Sequence, residues 1–163
     1  MIEHIYIDMD NTIADFNRSP MLKEEIQPGV WVTPSEMYSP GFFETLSPLD
    51  GALAGVREVI KFAKKNNIKV HILSKPVAIS AYSYSEKVAW IMKWFPELFG
   101  NIILCQDKGR IIGKNSVLID DSLDWKKPWE DNGGVFIHFN ETESSLPYWK
   151  GIVSQIEELH NAK

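Results

Sequence analysis

Residues 4–12 read His4-Ile5-Tyr6-Ile7-Asp8-Met9-Asp10-Asn11-Thr12, a short apolar run that passes directly into acidic and polar side chains. We predict a buried strand over residues 3–9, which places Asp8 and Asp10 at its carboxyl end. Because side chains alternate along a strand, the two carboxylates begin on the same side. Carboxylates this close repel each other unless one is protonated or a cation lies between them. The pair indicates a metal site or a nucleophile with its acid, although an Asx turn is the simpler explanation of the pair taken alone.

The rest of the chain alternates between predicted helices and strands. Further strands are predicted over 69–73, 101–105, 116–119 and 134–139, and helices over 52–66, 85–95 and 147–159. In the second of these helices, the side chains expected to face inward are Val88, Ile91, Met92 and Phe95. Strands that alternate with helices imply a parallel sheet covered on both faces, with right-handed crossovers. We therefore predict an α/β fold in a single domain, residues 1–163.

Residues 17–50 differ in character, because they contain five prolines, too many for one long helix. Short helices are predicted within this segment at 20–26 and 34–38. Functional loops commonly extend from a rigid scaffold, and in a parallel sheet they leave at the carboxyl edge of the strands. We therefore expect residues 17–50 to form a small cap inserted after the first strand.

Composition limits the class of protein. The formal net charge of −5 argues against nonspecific binding to a nucleic-acid polymer. Cys105 is the single cysteine, so no disulfide can form within the chain, which fits a reducing cytoplasm. No apolar run approaches the roughly 20 residues that span a bilayer, and no basic-then-apolar leader opens the chain. We expect a cytoplasmic protein without a membrane partner.

Polar side chains follow four of the predicted strands. They are Asp8 and Asp10, then Ser74 and Lys75, then Gln106, Asp107 and Lys108, and finally Asp120 and Asp121. The carboxyl ends of parallel strands share one edge of the sheet, so these residues converge. Buried carboxylates without compensation are costly, and a hard cation with oxygen ligands would stabilise them. Mg²⁺ suits a few carboxylates together with water and phosphate.

This set of side chains suggests phosphoryl transfer. Asp8 can attack phosphorus and form an aspartyl-phosphate. Asp10 is placed to protonate the leaving alcohol oxygen and then to activate the hydrolytic water. Ser74 can donate a hydrogen bond to a phosphate oxygen.

Two assignments stay open on the residues alone. Lys108 can offset the charge of the nucleophile and the phosphate, but Lys114 lies closer to the paired acids in sequence. Asp120 or Asp121 can complete the metal shell, and the sequence does not say which of them binds the metal directly.

The combination resembles the haloacid dehalogenase-like phosphatases, whose pattern is Asp-x-Asp-x-Thr/Val after the first strand, Ser/Thr after the second, then a lysine and paired acids. The matching blocks are Asp8–Thr12, Ile72–Ser74 and Leu118–Asp121. This resemblance implies a three-layer α/β/α, Rossmann-like fold with strand order 5-4-1-2-3. It also implies Asp8 as nucleophile and metal ligand, and Asp10 as proton shuttle whose backbone carbonyl binds the metal.

A closer resemblance is to the 5′(3′)-deoxyribonucleotidases. It covers Ala14–Phe16, Gly29–Val32, Ser85–Trp90, Tyr148–Lys150 and Gln106–Lys108, where that family carries Arg-Asp-Lys. The segment Val30, Trp31 and Val32 looks like the part of the cap that stacks a base, although Trp31 as a core residue is the alternative. Phe16 is equally compatible with pocket lining and with core packing. The resemblance implies substrate contacts by Phe16, Val30, Trp31, Val32, Ser74, Lys75, Gln106 and Lys108.

We therefore expect a Mg²⁺-dependent phosphatase acting on (deoxy)nucleoside monophosphates. One alternative keeps the chemistry and changes the substrate to another small phosphate ester. The other is a nucleotide-binding module without turnover. A homodimer is the assembly we consider for the chain.

Overall fold

The computed structural model describes residues 1–111 and 113–162, which form one parallel sheet with helices on both faces. The strands are β1 (His4–Ile7), β2 (Lys69–Ser74), β3 (Ile102–Leu104), β4 (Ser116–Asp120) and β5 (Val135–His138). Their order is β3-β2-β1-β4-β5, and every neighbouring pair is parallel. The predicted α/β fold and its strand order are therefore confirmed. β1 is central, with β2 and β4 on its two sides.

Within these described residues, four α-helices connect or follow the strands. They are α1 (Ala52–Lys65), α2 (Ala81–Trp94), α3 (Lys126–Asp131) and α4 (Leu146–Asn161). α2 begins four residues earlier than predicted, because Ser80 caps it and accepts a hydrogen bond from the backbone N–H of Ser83. It ends before Pro96, as a proline requires. None of the helices in the described part of the chain has both the length and the apolar character that crossing a bilayer requires.

The two faces of the sheet are covered unequally. α1, α2 and α4 bury the larger core together with the strand residues Ile5, Ile7 and Ile72. On the opposite face, the short helix α3 places Trp129 against Tyr6 and a few neighbours. The third layer of the predicted α/β/α arrangement is thus a small one.

Part of the predicted cap differs from expectation. Residues 35–38 form a 3₁₀ turn close to the predicted helix at 34–38, but 20–26 forms no helix. Ile26 instead donates its backbone N–H to the carbonyl of Asn17, nine residues earlier rather than the four of an α-helix, and this stretch has no fully buried apolar side chain to pack. A helix this short is not stable without such packing. The division of residues 17–50 as a cap stays a prediction.

The inward face of α2 also differs from the prediction. Met92 is 47% exposed, whereas Lys87, Trp90 and Ile91 are fully buried and Glu86 is nearly so. The reason is polar. The Glu86 carboxylate accepts hydrogen bonds from the backbone N–H groups of residues 41 and 43, which turns its side of the helix toward the core.

Two helical glycines allow a matched test of the packing between α1 and α4. A Cβ on Gly55 would lie 2.1 Å from the Trp149 ring, whereas a Cβ on Gly151 would meet nothing within 4 Å. Overpacking costs about 1–3 kcal/mol, and alanine is favoured over glycine in a helix by roughly 0.5–1 kcal/mol. Chemical denaturation should therefore show Gly55→Ala destabilised and Gly151→Ala slightly stabilised. Equal stability of the two variants would contradict this packing.

Candidate active site

The carboxyl edge of the sheet opens into a cavity of about 630 Å³. Most residues predicted for the site line it: Asp8, Asp10, Phe16, Val30, Trp31, Val32, Lys75, Gln106, Lys108, Asp120 and Asp121. Ser74 is the exception among the described residues, because its side chain is fully buried behind this surface. The predicted convergence of strand ends therefore occurs, with the hydroxyl set back from the cavity.

The turn after β1 presents the first two carboxylates. Asp8 continues the pairing with β4 by donating its backbone N–H to Ile119. The backbone N–H groups of residues 12, 13 and 14 then all point to the carbonyl of Met9. Asn11 has a φ of 54°, a left-handed conformation that asparagine tolerates better than most residues. This tight turn brings both Asp8 and Asp10 to the cavity. Their position there favours a functional pair over a simple Asx turn.

Lys108 joins two of the acids. Its Nζ lies 2.5 Å from Asp8 Oδ1 and 2.5 Å from Asp120 Oδ2, and its side chain is almost completely buried. Burial opposes the charged form, but the two carboxylates outweigh it and raise the pKa of Lys108 above its usual value. Lys114 is exposed, so Lys108 is the lysine of the acidic cluster.

Three carboxylates lie together at this point. Asp8, Asp120 and Asp121 each offer an oxygen atom within 4.8 Å of the others. Burial and the Asp8 charge raise the pKa of Asp120 to about 7, against the opposing effect of Lys108. Burial, Asp8 and Asp120 raise the pKa of Asp121 to about 9. An all-oxygen set whose members repel one another fits a hard divalent cation.

The two paired acids have different partners. Asp120 Oδ2 is bound by Lys108, and its Oδ1 accepts a hydrogen bond from the backbone N–H of Ser122. No described residue donates a hydrogen bond to the Asp121 carboxylate, which lines the cavity. Asp121 is therefore the acid with both oxygens free to bind a cation.

Lys87 is a site residue that the sequence analysis missed. Its side chain is fully buried, and its Nζ lies 2.5 Å from Asp10 Oδ2 and 3.0 Å from Ser74 Oγ. Burial raises the pKa of Asp10, and Lys87 opposes this rise. The sequence did contain a signal for Lys87, because this residue lies on the same side of α2 as Trp90 and Ile91. A charged residue on such an apolar side of a helix requires a partner.

The wall of the cavity is apolar and aromatic. Trp31 is 77% exposed, which excludes the alternative that it is a core residue. Phe16 satisfies both interpretations, since it lines the cavity and also packs edge-on against Phe42 at 5.2 Å. Further lining residues had no motif to identify them: Asn17, Trp125, His138 and Glu141.

Gln106 does not extend freely into the cavity. Its Nε2 donates to the carbonyl of Pro76 at 2.9 Å and lies 3.0 Å from the Tyr84 hydroxyl. These contacts join the loops that follow β2 and β3. Gln106 therefore holds the loop after β2 at Pro76, the residue that follows the cavity-lining Lys75.

The chain matches known proteins over most of its length. The family model described as 5′ nucleotidase, deoxy (Pyrimidine), cytosolic type C protein matches residues 21–142. The chain is 31% identical to the mitochondrial 5′(3′)-deoxyribonucleotidase of Homo sapiens over 74% of its own length. It spans 62% of the length of that relative.

Solved structures share the fold at low sequence identity. A haloacid dehalogenase superfamily hydrolase from Ehrlichia chaffeensis superposes with a TM-score of 0.57 at 17% identity, covering 99% of this chain and all of the other. An enzyme of the same broad family from Bacteroides thetaiotaomicron, solved as an aspartate-to-alanine mutant with magnesium and inorganic phosphate, gives a TM-score of 0.50 at 13% identity. That match covers 88% of this chain and 97% of the other.

The raised pKa values of Asp120 and Asp121 make cation binding depend on pH. A carboxylate must lose its proton to bind a cation, so Mg²⁺ binding should release protons and tighten as pH rises from about 7 to about 9. Titration calorimetry with MgCl₂ in buffers of different ionisation enthalpy measures both effects.

Two aspartate variants serve as the test and the control for that titration. Asp121→Asn should weaken binding and reduce proton release. Asp131→Asn, which alters an exposed carboxylate paired with Lys127, should change neither quantity. Binding that is independent of pH in the unmodified protein would contradict the predicted role of these acids.

Proposed function

We propose that this chain, which belongs to the deoxy (pyrimidine) cytosolic type C family of 5′ nucleotidases, is a phosphatase that dephosphorylates nucleoside monophosphates through an aspartyl-phosphate on Asp8. One observation carries the proposal. Lys108 bridges Asp8 and Asp120 at the polar end of a cavity whose wall carries the exposed ring of Trp31. A carboxylate nucleophile, an adjacent cation and a flat apolar surface are the parts that hydrolysis of a nucleotide requires.

The proposed first step transfers the phosphoryl group to the protein. A carboxylate oxygen of Asp8 forms a bond to phosphorus while the bond between phosphorus and the ester oxygen breaks. Asp10 gives its proton to that oxygen, so the nucleoside leaves as an alcohol. Lys108 and the Thr12 hydroxyl, which donates to Asp8 Oδ2 at 3.4 Å, hold the nucleophile during attack.

The proposed second step regenerates the protein. A water molecule gives a proton to Asp10 and attacks phosphorus, which breaks the bond to Asp8 and releases inorganic phosphate. Lys108 keeps its charge through both steps and offsets the negative charge around phosphorus. Ser74 Oγ accepts a hydrogen bond from Lys87. The Ser74 hydroxyl proton is therefore free to be donated to a phosphate oxygen.

Mg²⁺ is the cation we propose for the acidic cluster. The all-oxygen donor set of Asp8, Asp120 and Asp121 fits it, and the superposed enzyme from Bacteroides thetaiotaomicron was solved with magnesium and phosphate. The resemblance noted from the sequence adds the backbone carbonyl of Asp10 as a ligand. When bound, the ion supplies positive charge that neutralises the phosphate oxygens.

Deoxyribonucleoside monophosphates are the proposed substrates. The cavity of about 630 Å³ lies within the size range of sites for small ligands. Val30, Trp31 and Val32 offer an apolar surface on which a base can stack. The human relative is named a 5′(3′)-deoxyribonucleotidase, which supports the same class. The cytoplasmic location and the homodimer stay predictions.

Replacing the nucleophile tests the reaction. Asp8→Asn should reduce release of phosphate from deoxynucleoside monophosphates by at least about 10³-fold, because an amide cannot form the acyl phosphate. Release is measured with and without Mg²⁺, with circular dichroism as the check that the variant folds. Asp131→Asn is the control and should retain full activity. Near-normal turnover by Asp8→Asn would contradict the mechanism.

Removing the aromatic wall tests the substrate class. Stacking of a base on an aromatic ring is worth about 1–3 kcal/mol, so Trp31→Ala should raise KM for nucleotides by about 5- to 150-fold. Hydrolysis of sugar phosphates, which have no base, should change little. Phe99→Ala removes an equally isolated ring, 66% exposed and outside the cavity, and should change neither. Equal effects on both substrates would favour another small phosphate ester.

A further inference from the structure

Lys87 has no role in the chemistry described so far, although its contacts place it at the centre of the site. Its Nζ reaches Asp10 Oδ2 at 2.5 Å and Ser74 Oγ at 3.0 Å, and it lies 4.5 Å from the centre of the Phe43 ring. A lysine is rarely buried completely unless it is paired, since loss of hydration is costly. This one does not line the cavity, so its charge acts through its neighbours.

The two oxygens of Asp10 are in different situations. Oδ2 is held by Lys87, whereas Oδ1 is buried and has no hydrogen-bond partner among the described residues. A buried carboxylate oxygen without a partner is rare in folded proteins and calls for an explanation. The contact with Lys87 fixes the plane of the Asp10 carboxyl group, whose side chain is 26% exposed and lines the cavity.

The helix that carries Lys87 is itself fixed against residues 41–46. Glu86 accepts hydrogen bonds from the backbone N–H of Gly41 at 2.5 Å and of Phe43 at 3.0 Å. One turn later, Trp90 Nε1 donates to the carbonyl of Leu46 at 2.8 Å. These contacts lie on both sides of Lys87 in sequence, so its backbone cannot shift without breaking them. The ammonium group is therefore a rigid anchor for Asp10.

We propose that Lys87 is a positioning residue that holds the Asp10 carboxyl group in the orientation in which it meets the leaving oxygen of the substrate. The proposal rests on the proposed phosphatase function. In that reaction the bond from phosphorus to the ester oxygen breaks, and the proton moves from the Asp10 carboxyl group to that oxygen. Lys87 keeps all its protons and holds Oδ2 throughout.

Substrates whose leaving groups differ in basicity distinguish a positioning role of Lys87 from a purely structural one. A nucleoside leaves poorly unless it is protonated, whereas p-nitrophenolate leaves readily as an anion. Lys87→Met keeps the length and apolar contacts of the side chain but cannot anchor Asp10. It should lower kcat/KM for a deoxynucleoside monophosphate by about 10²-fold or more, the range that general acid catalysis supplies. The loss with p-nitrophenyl phosphate should be at least about 10-fold smaller.

The parameter kcat/KM is chosen because it includes only steps up to release of the alcohol, and so excludes the later attack by water. Lys87 also touches Ser74, whose loss would affect both substrates alike. Ser74→Ala is therefore the matched comparison, with an equal fold-loss expected for the two substrates. Lys87→Arg, which keeps the charge, should recover part of the nucleotide activity.

A double-mutant cycle keeps the test decisive if Lys87→Met does not fold. Asp10→Asn combined with Lys87→Met removes both charges of the pair, and should show the same preference between the two substrates as Asp10→Asn alone. The role of Lys87 would be overturned if Lys87→Met lost activity equally on both substrates or lost none. It would also be overturned if the double variant differed from Asp10→Asn in its preference between the two substrates. Absence of turnover by the unmodified protein would instead overturn the proposed function, and this role with it.

Discussion

The ammonium group of Lys108, buried between the carboxylates of Asp8 and Asp120, is the interaction on which the site depends. All three charges are almost fully removed from water, a loss of hydration that costs several kcal/mol per ion unless they are paired closely. Removing the lysine would leave two repelling carboxylates beside Asp121. The same arrangement fixes the direction of the Asp8 carboxyl group, which attack on phosphorus requires.

Strand order makes this pairing possible. β1 lies between β2 and β4, so Asp8 at the end of β1 and Asp120 at the end of β4 become neighbours although 112 positions separate them. Lys108 reaches them from the turn after β3, which Asp107 caps by accepting from the backbone N–H of Gly109. A second lysine, Lys87, comes from the helix after β2. The two carboxylates that we assign to bond making and proton transfer, Asp8 and Asp10, thus contact different lysines.

The polar ends of the strands could be predicted because alternation of apolar and polar residues is a local signal, and a parallel sheet brings those ends together. Contacts between side chains that are distant in sequence could not be predicted, because no local pattern records them. Lys87 and Glu86 are buried on α2, so Ile91 and Phe95 face inward as predicted but Met92 does not. Residues 20–26 carry helical composition but no fully buried side chain. The match of Gln106-Asp107-Lys108 to the family pattern favours Lys108 over Lys114, and the burial of Lys108 gives this preference a physical reason.

Lys108, held by Asp120, prepares Asp8 to become phosphorylated in the proposed reaction. The most direct measurement is peptide mass mapping of the protein, quenched in acid within one turnover of a deoxynucleoside monophosphate and Mg²⁺. We predict one phosphoryl group on the peptide that contains Asp8, labile to hydroxylamine and absent from Asp8→Asn. Release of phosphate with no phosphorylated peptide, or with the group on another residue, would contradict it.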